Sequence, residues 1–132
     1  MVKGSCLCGA VAFEVEKFSS DIYKCHCSKC RKAFGGASSA SAISAEGAFA
    51  WTQGQEGIEQ FSCESGYTRY FCSVCGSVLP QSIPGKASYW VPVGLLDGDP
   101  GLKLSLHIHT ASKAPWEILD EHTKSLEQGF EF

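Results

Sequence analysis

Eight cysteines dominate what this chain can fold into, because seven of them fall in tight groups. Cys6 and Cys8 open the sequence, Cys25, Cys27 and Cys30 follow within six residues of one another, and Cys72 and Cys75 come past the middle; Cys63 stands apart. In a small secreted domain an even count of cysteines reads as a disulfide framework. Here the opening Met1-Val2-Lys3-Gly4-Ser5-Cys6 has no apolar signal region, and the sequence holds no asparagine to carry N-glycosylation. Both features point to a reducing, cytoplasmic setting, where clustered cysteines are metal ligands rather than staples. At 132 residues the chain is also long enough to bury one hydrophobic core without covalent help.

Composition narrows the field. With 44% hydrophobic and 19% charged residues the chain is neither a disordered tail nor a fibre. No uncharged apolar run approaches the roughly 20 residues that span a bilayer, so no membrane association is expected. Eleven basic against fourteen acidic residues give a net charge of −3, which argues against a nucleic-acid surface. Fourteen glycines and five prolines punctuate short apolar segments at intervals of roughly 8–12 residues, the rhythm of all-β architecture. Val11, Phe13 and Val15 alternate with Glu14 and Glu16 through a strand predicted over 10–16. Further strands are predicted over 22–27, 38–43, 48–51, 58–62, 68–72, 78–83, 88–93 and 104–109. One helical turn is predicted over 28–34, stopped by Gly35-Gly36, and a turn or two in 116–124. The expectation is one all-β domain over residues 1–132.

The grouped cysteines divide into two sites. Cys6-Leu7-Cys8-Gly9 and Cys72-Ser73-Val74-Cys75-Gly76 share a layout: two close thiols, then a glycine that lets the chain turn around an ion. On an extended segment Cys6 and Cys8 point the same way. Four thiolates satisfy tetrahedral zinc with no position to spare, the mark of a structural site; the alternatives are buried apolar cysteines or a labile disulfide. Cys25-His26-Cys27-Ser28-Lys29-Cys30 then offers three ligands, and three protein ligands with an open position is the arrangement of a catalytic zinc. The alternatives are His26 or Cys63 as a fourth ligand, or Cys27 and Cys30 as a redox pair. Lys24, Lys29, Arg31 and Lys32 put four basic residues within nine positions around this group. They favour thiolate over thiol and attract an anionic ligand; the competing reading is a solvated turn that balances the site.

Three ordered motifs carry a family resemblance. They are Gly4-Ser5-Cys6-Leu7-Cys8-Gly9-Ala10-Val11, Cys25-His26-Cys27-Ser28-Lys29-Cys30-Arg31-Lys32 and Arg69-Tyr70-Phe71-Cys72-Ser73-Val74-Cys75-Gly76-Ser77. With Ser112-Lys113-Ala114-Pro115-Trp116 later on, they resemble the glutathione-dependent formaldehyde-activating enzyme family, which includes centromere-protein-V-like members. The resemblance implies a β-tent fold, with small antiparallel sheets organised around a structural zinc. It implies that Cys6, Cys8, Cys72 and Cys75 hold that zinc, while Cys25, Cys27 and Cys30 hold the second ion and are the catalytic residues. It further implies S-(hydroxymethyl)glutathione synthase chemistry, a carbon–sulfur lyase reaction joining glutathione as co-substrate to formaldehyde. Lys29, Arg31 and Lys32 are then contacts for the carboxylates of that thiol. Cys63 stands where a small polar residue is expected.

The competing functions are a non-catalytic two-zinc module that binds a protein partner and a thiol redox protein. His26 is read as a proton shuttle or an exposed bystander, because alternation turns it away from its cysteine neighbours. His107 and His109 alternate with apolar residues and are expected together on the polar face of a strand. Trp51, Trp90 and Trp116 are expected to fill the core or line a cleft.

Overall fold

A computed structural model describes residues 1–130. In chain order the elements are β1 (Val2–Ser5), β2 (Ala12–Val15), β3 (Ile22–Cys25), α1 (Ser28–Phe34), β4 (Ser39–Ile43) and β5 (Phe49–Gln53). They continue with β6 (Ile58–Ser62), β7 (Thr68–Cys72), β8 (Gln81–Ser82), β9 (Tyr89–Pro92), β10 (Leu104–Ile108) and β11 (Lys124–Ser125). β1, β2 and β5 form an antiparallel sheet with β2 at its centre. The alternation read in the sequence is realised there, since Val11, Phe13 and Val15 are all buried. Phe13 stacks on Phe49 with ring centroids 5.4 Å apart, and Phe49 stacks on Tyr89 at 3.9 Å. That ladder, with Val91 of β9, carries the packing across to the larger sheet. Each such buried side chain stabilises the fold by about 1.5–3 kcal/mol.

The larger sheet has six strands in the order β11-β10-β3-β4-β9-β8. It departs from the expected antiparallel arrangement, because β10 runs parallel to both β3 and β11. A parallel neighbour needs a long crossover, and most of the chain lies between β3 and β10. β6 and β7 form a separate antiparallel hairpin. The predicted helical turn is α1: the Cys27 sulfur caps it by accepting the Cys30 amide at 3.3 Å, and Gly35 ends it in the left-handed conformation. The strand predicted over 78–83 shortens to β8, because Leu79 and Pro80 turn into the core and proline has no amide to pair. The helical turns expected in 116–124 do not form; Trp116 is 69% exposed, and the segment runs instead into β11. No helix among the described residues is long and apolar enough to cross a membrane. The last two residues of the predicted 1–132 domain lie outside the described residues.

Candidate metal centres

The first centre forms where two turns face each other. Between β1 and β2, Cys6 N–H donates to Val11 O at 3.0 Å and Gly9 N–H to Cys6 O at 3.1 Å. After β7 the pattern repeats, with Cys72 N–H to Ser77 O at 3.0 Å and Gly76 N–H to Cys72 O at 2.8 Å. Gly9 and Gly76 have φ of 80° and 77°, the region that favours a residue without Cβ. Cys6 and Cys8 therefore converge through a turn and not, as expected, along an extended segment. The sulfurs of Cys6, Cys8, Cys72 and Cys75 all lie within 4.8 Å of one another, with Cys6–Cys8 at 3.6 Å and Cys8–Cys72 at 3.8 Å. The amides of Val11 and Val74 donate to the Cys6 and Cys72 sulfurs at 3.3 and 3.4 Å. Ser77 lies 3.2 Å from the Cys75 sulfur, and its hydrogen bonds pull that thiol down to about 5. Cys6 and Cys72, 3% and 1% exposed, pack with Val11 and Leu79, so this centre is part of the core.

The second centre sits at the end of the larger sheet. Cys25 closes β3, Cys27 caps α1 and Cys30 lies in its first turn, which brings the three sulfurs within 4.8 Å of one another. Among the described residues this group has three ligand atoms; neither His26 nor Cys63 joins it. Charge is divided unevenly between the thiols. Hydrogen bonds from Cys25 first, then from Cys27, Tyr67 and Ser39, pull Cys30 down to about 5. The same bond to Cys30, followed by burial, pushes Cys25 well above the ordinary thiol range. The Tyr67 hydroxyl lies 3.8 Å from the Cys30 sulfur, and burial together with Cys30 pushes the phenol upward, so it remains a donor. The four- and three-cysteine groups could each hold a metal ion.

One cavity adjoins this centre and a second neighbours the first. One of about 330 Å³ is lined by Cys25, Cys30, Tyr67, Arg69 and Trp90 among others. The other, about 440 Å³, shares Tyr67 and Arg69 and adds Lys29, Lys32, Phe61 and Cys63. Lys29 and Lys32 thus line the cavity that shares Tyr67 and Arg69 with the one at the sulfurs, whereas Arg31 lines neither one. Tyr67 and Arg69 escaped the sequence reading as site residues. The β6–β7 hairpin delivers them, and no local pattern shows which element a hairpin leans on.

The histidines correct two expectations. His26 is fully buried rather than exposed, with Nε2 2.9 Å from His107 Nδ1, and His107 Nε2 lies 3.1 Å from Asp120 Oδ1. His26 does turn away from its cysteines, but β10 covers the space it turns into. His107 points inward, while His109 follows the strand with φ 56° and does not share its face. Cys63 is exposed in the hairpin turn. Trp51 packs in the core and Trp90 lines the smaller cavity, as expected, whereas Trp116 does neither.

Comparison with known proteins adds three findings. The sequence profile described as "Glutathione-dependent formaldehyde-activating enzyme" matches residues 1–112. A curated protein of Halomonas elongata, whose name assigns it that activity provisionally, is 36% identical over 85 residues. That match covers 60% of this chain and 54% of the relative, so the chain spans about half the length of the curated protein. A crystal structure of a Rhodobacter sphaeroides protein superposes with a TM-score of 0.60 at 28% identity, covering 74% of this chain and 89% of that one.

Proposed function

This chain belongs to the glutathione-dependent formaldehyde-activating enzyme family, and from that premise we propose that it joins a glutathione-like thiol to a small aldehyde, formaldehyde foremost. The observation that carries this reading is the unequal ligand count of the two sulfur centres, four against three. Both suit zinc. A tetrahedral ion about 2.3 Å from each sulfur sets the sulfurs about 3.8 Å apart, and the first centre has 3.6 and 3.8 Å. Soft thiolates supported by amide N–H groups favour zinc over hard cations. Cys6, Cys8, Cys72 and Cys75 would hold a structural zinc, and Cys25, Cys27 and Cys30 a catalytic one that keeps its fourth position for substrate. We read the sheets around the first centre as the family's β-tent, and residues 1–132 as one cytoplasmic domain.

Bound zinc supplies positive charge that favours the thiolate form of an incoming thiol. The chain's own residues do the rest. Lys29 and Lys32, joined by Arg69 and without Arg31, offer ion pairs to the carboxylates of the thiol from the larger cavity. Holding thiol and aldehyde in adjoining cavities removes the entropy cost of their encounter. The sulfur adds to the aldehyde carbon, one C–S bond forms, and the carbonyl π pair moves to oxygen. The proton that the thiol gave up returns to that oxygen, so RSH and the aldehyde sum to the hydroxyalkyl thioether. Tyr67, held protonated beside Cys30, is the group to which we assign donation towards that oxygen.

The test is metal content together with catalysis. Purified protein should carry two zinc ions and accelerate formation of S-(hydroxymethyl)glutathione above its spontaneous rate, read by carbon-13 exchange NMR. Two ions without acceleration for any small thiol would leave an interaction module. Zinc release that follows reversible oxidation, without acceleration, would leave a redox protein.

A further inference from the structure

We infer that His107 and Asp120 are positioning residues for the three-cysteine centre, acting through His26. The inference rests on the reading of Cys25, Cys27 and Cys30 as a metal centre. His26 stands between two of the three sulfurs in sequence, and a fully buried imidazole there calls for a cause. Its Nε2 meets His107 Nδ1 at 2.9 Å, His107 Nε2 meets Asp120 Oδ1 at 3.1 Å, and Asp120 Oδ2 accepts the Thr123 amide at 2.8 Å. An ionised carboxylate can only accept, so His107 donates from Nε2 to Asp120, and across the contact between His26 Nε2 and His107 Nδ1 one ring nitrogen donates and the other accepts. Thr123 first and His107 second hold the Asp120 carboxyl below the usual carboxylate range, which keeps it an acceptor.

The strand pairing supplies a second hold on the same residue. β10 lies parallel to β3 with Ile108 opposite Cys25, and the His26 amide donates to Ile108 O at 3.0 Å. His26 is therefore gripped twice by residues 107 and 108, once at its backbone and once at its ring. With that residue fixed, the peptide planes on either side have little freedom to rotate, and Cys25 and Cys27 lie on those sides. Asp120 lies past residue 112, where the family match ends, so nothing in that match accounts for it.

Asp120→Ala tests the inference at a side chain that is 43% exposed. The probe is cobalt(II): cobalt-loaded protein is titrated with a competing chelator while thiolate-to-cobalt absorption follows each centre, with Cys27→Ser assigning the second. The wild type should hold two ions. Asp120→Ala should weaken the second by up to about tenfold, the low end of what a group bonded directly to a ligand contributes, and leave the first unchanged. Asp120→Asn, which keeps an oxygen for His107, should recover most of the loss. Long-range proton–nitrogen NMR of the wild type should find His107 protonated on Nε2. One ion in the wild type would overturn the metal reading and the inference with it. Two ions in the wild type with an unchanged second affinity in Asp120→Ala, or equal weakening of both centres, would overturn the inference alone.

Discussion

Replacing Cys72 with serine should abolish folding, whereas replacing Cys27 with serine should abolish chemistry and spare the fold. Cys72 is buried against Val11 and Leu79, and its centre ties the turn after β7 to a thiol 64 residues earlier. A structural zinc contributes on the order of 10 kcal/mol to folding. A domain of 132 residues has a net stability of roughly 7–20 kcal/mol, at about 0.05–0.15 kcal/mol per residue. Losing even half of the metal's contribution, about 5 kcal/mol, removes most of the smaller figure. The serine would also put a polar hydroxyl in the core beside Leu79. At Cys27 the balance reverses. Its sulfur caps α1 through the Cys30 amide, and serine is among the best residues for that position. The helix keeps its cap, and a metal ligand is all that is lost. Circular-dichroism melting, zinc content by mass spectrometry and thiol–aldehyde exchange give the answer. Cys72→Ser should be insoluble or show no transition. Cys27→Ser should melt within about 4 °C of wild type, the shift of roughly 1 kcal/mol, and carry one zinc with no turnover. Both variants unfolding alike, or Cys27→Ser retaining two ions and full turnover, would refute the division of labour.

Gly54 and Gly85 have nearly equal φ, 73° and 74°, but a Cβ at Gly54 runs into the Ala10 carbonyl whereas one at Gly85 meets nothing within 4 Å. Both alanine variants bear a left-handed cost of about 1–2 kcal/mol, so Gly54→Ala should melt several degrees below Gly85→Ala; equal melting temperatures would refute the close approach. Tyr67→Phe should lower kcat about 100-fold with KM little changed, and an unchanged kcat would remove Tyr67 from the reaction. Lys32→Gln should raise KM for glutathione at constant kcat, by a factor that shrinks as salt is added; a salt-independent change would point away from ion pairing. Metal entering the second centre must displace the proton that the hydrogen bond to Cys30 and burial keep on Cys25, whose pKa they raise. Cobalt affinity there should therefore rise at least about tenfold per unit between about pH 6 and 8, and a flat profile would contradict that proton count.

What could be read from the sequence is what local chemistry encodes. β6 and β7 coincide with the predicted 58–62 and 68–72, and α1 with the predicted 28–34, because the signals for them are local: short alternating runs, a capping thiol and a left-handed glycine. β1 sends no such signal. Gly4 interrupts it, and the glycine is needed because a side chain there would press on the Phe13 ring and the Leu95 carbonyl, a reason visible only after folding. The parallel pairing of β10 is likewise silent, since nothing in a strand's own residues names the edge it will join. The cysteine groups were legible from spacing alone. The groups that serve them were not, because Tyr67–Cys30, Arg69–Ala33 and His26–His107 join residues 37, 36 and 81 apart. Alternation gave the right direction for His26 and the wrong exposure for the same reason.

The two centres are unequal in another respect, since one of them leans on the other. α1 has no buried residue and only seven residues in all, too short to persist by helix propensity. Its start is held by the Cys27 cap, and its end by Arg69, whose Nη1 donates to Ala33 O at 3.1 Å. The same guanidinium reaches Gly76 O at 3.5 Å, in the turn that carries Cys75, and lies over the Phe71 ring at 5.3 Å. Arg69 belongs to β7, the strand that ends at Cys72. Its position is therefore set by the β6–β7 pairing and by the first centre at which β7 ends, and Arg69 in turn holds the far end of the helix that carries Cys30. Loss of the four-cysteine centre removes that hold from the three-cysteine one. Loss of the three-cysteine centre takes nothing from the core in which Cys6 and Cys72 are packed. The dependence runs one way, which is why a single cysteine-to-serine change should have opposite consequences at the two sites.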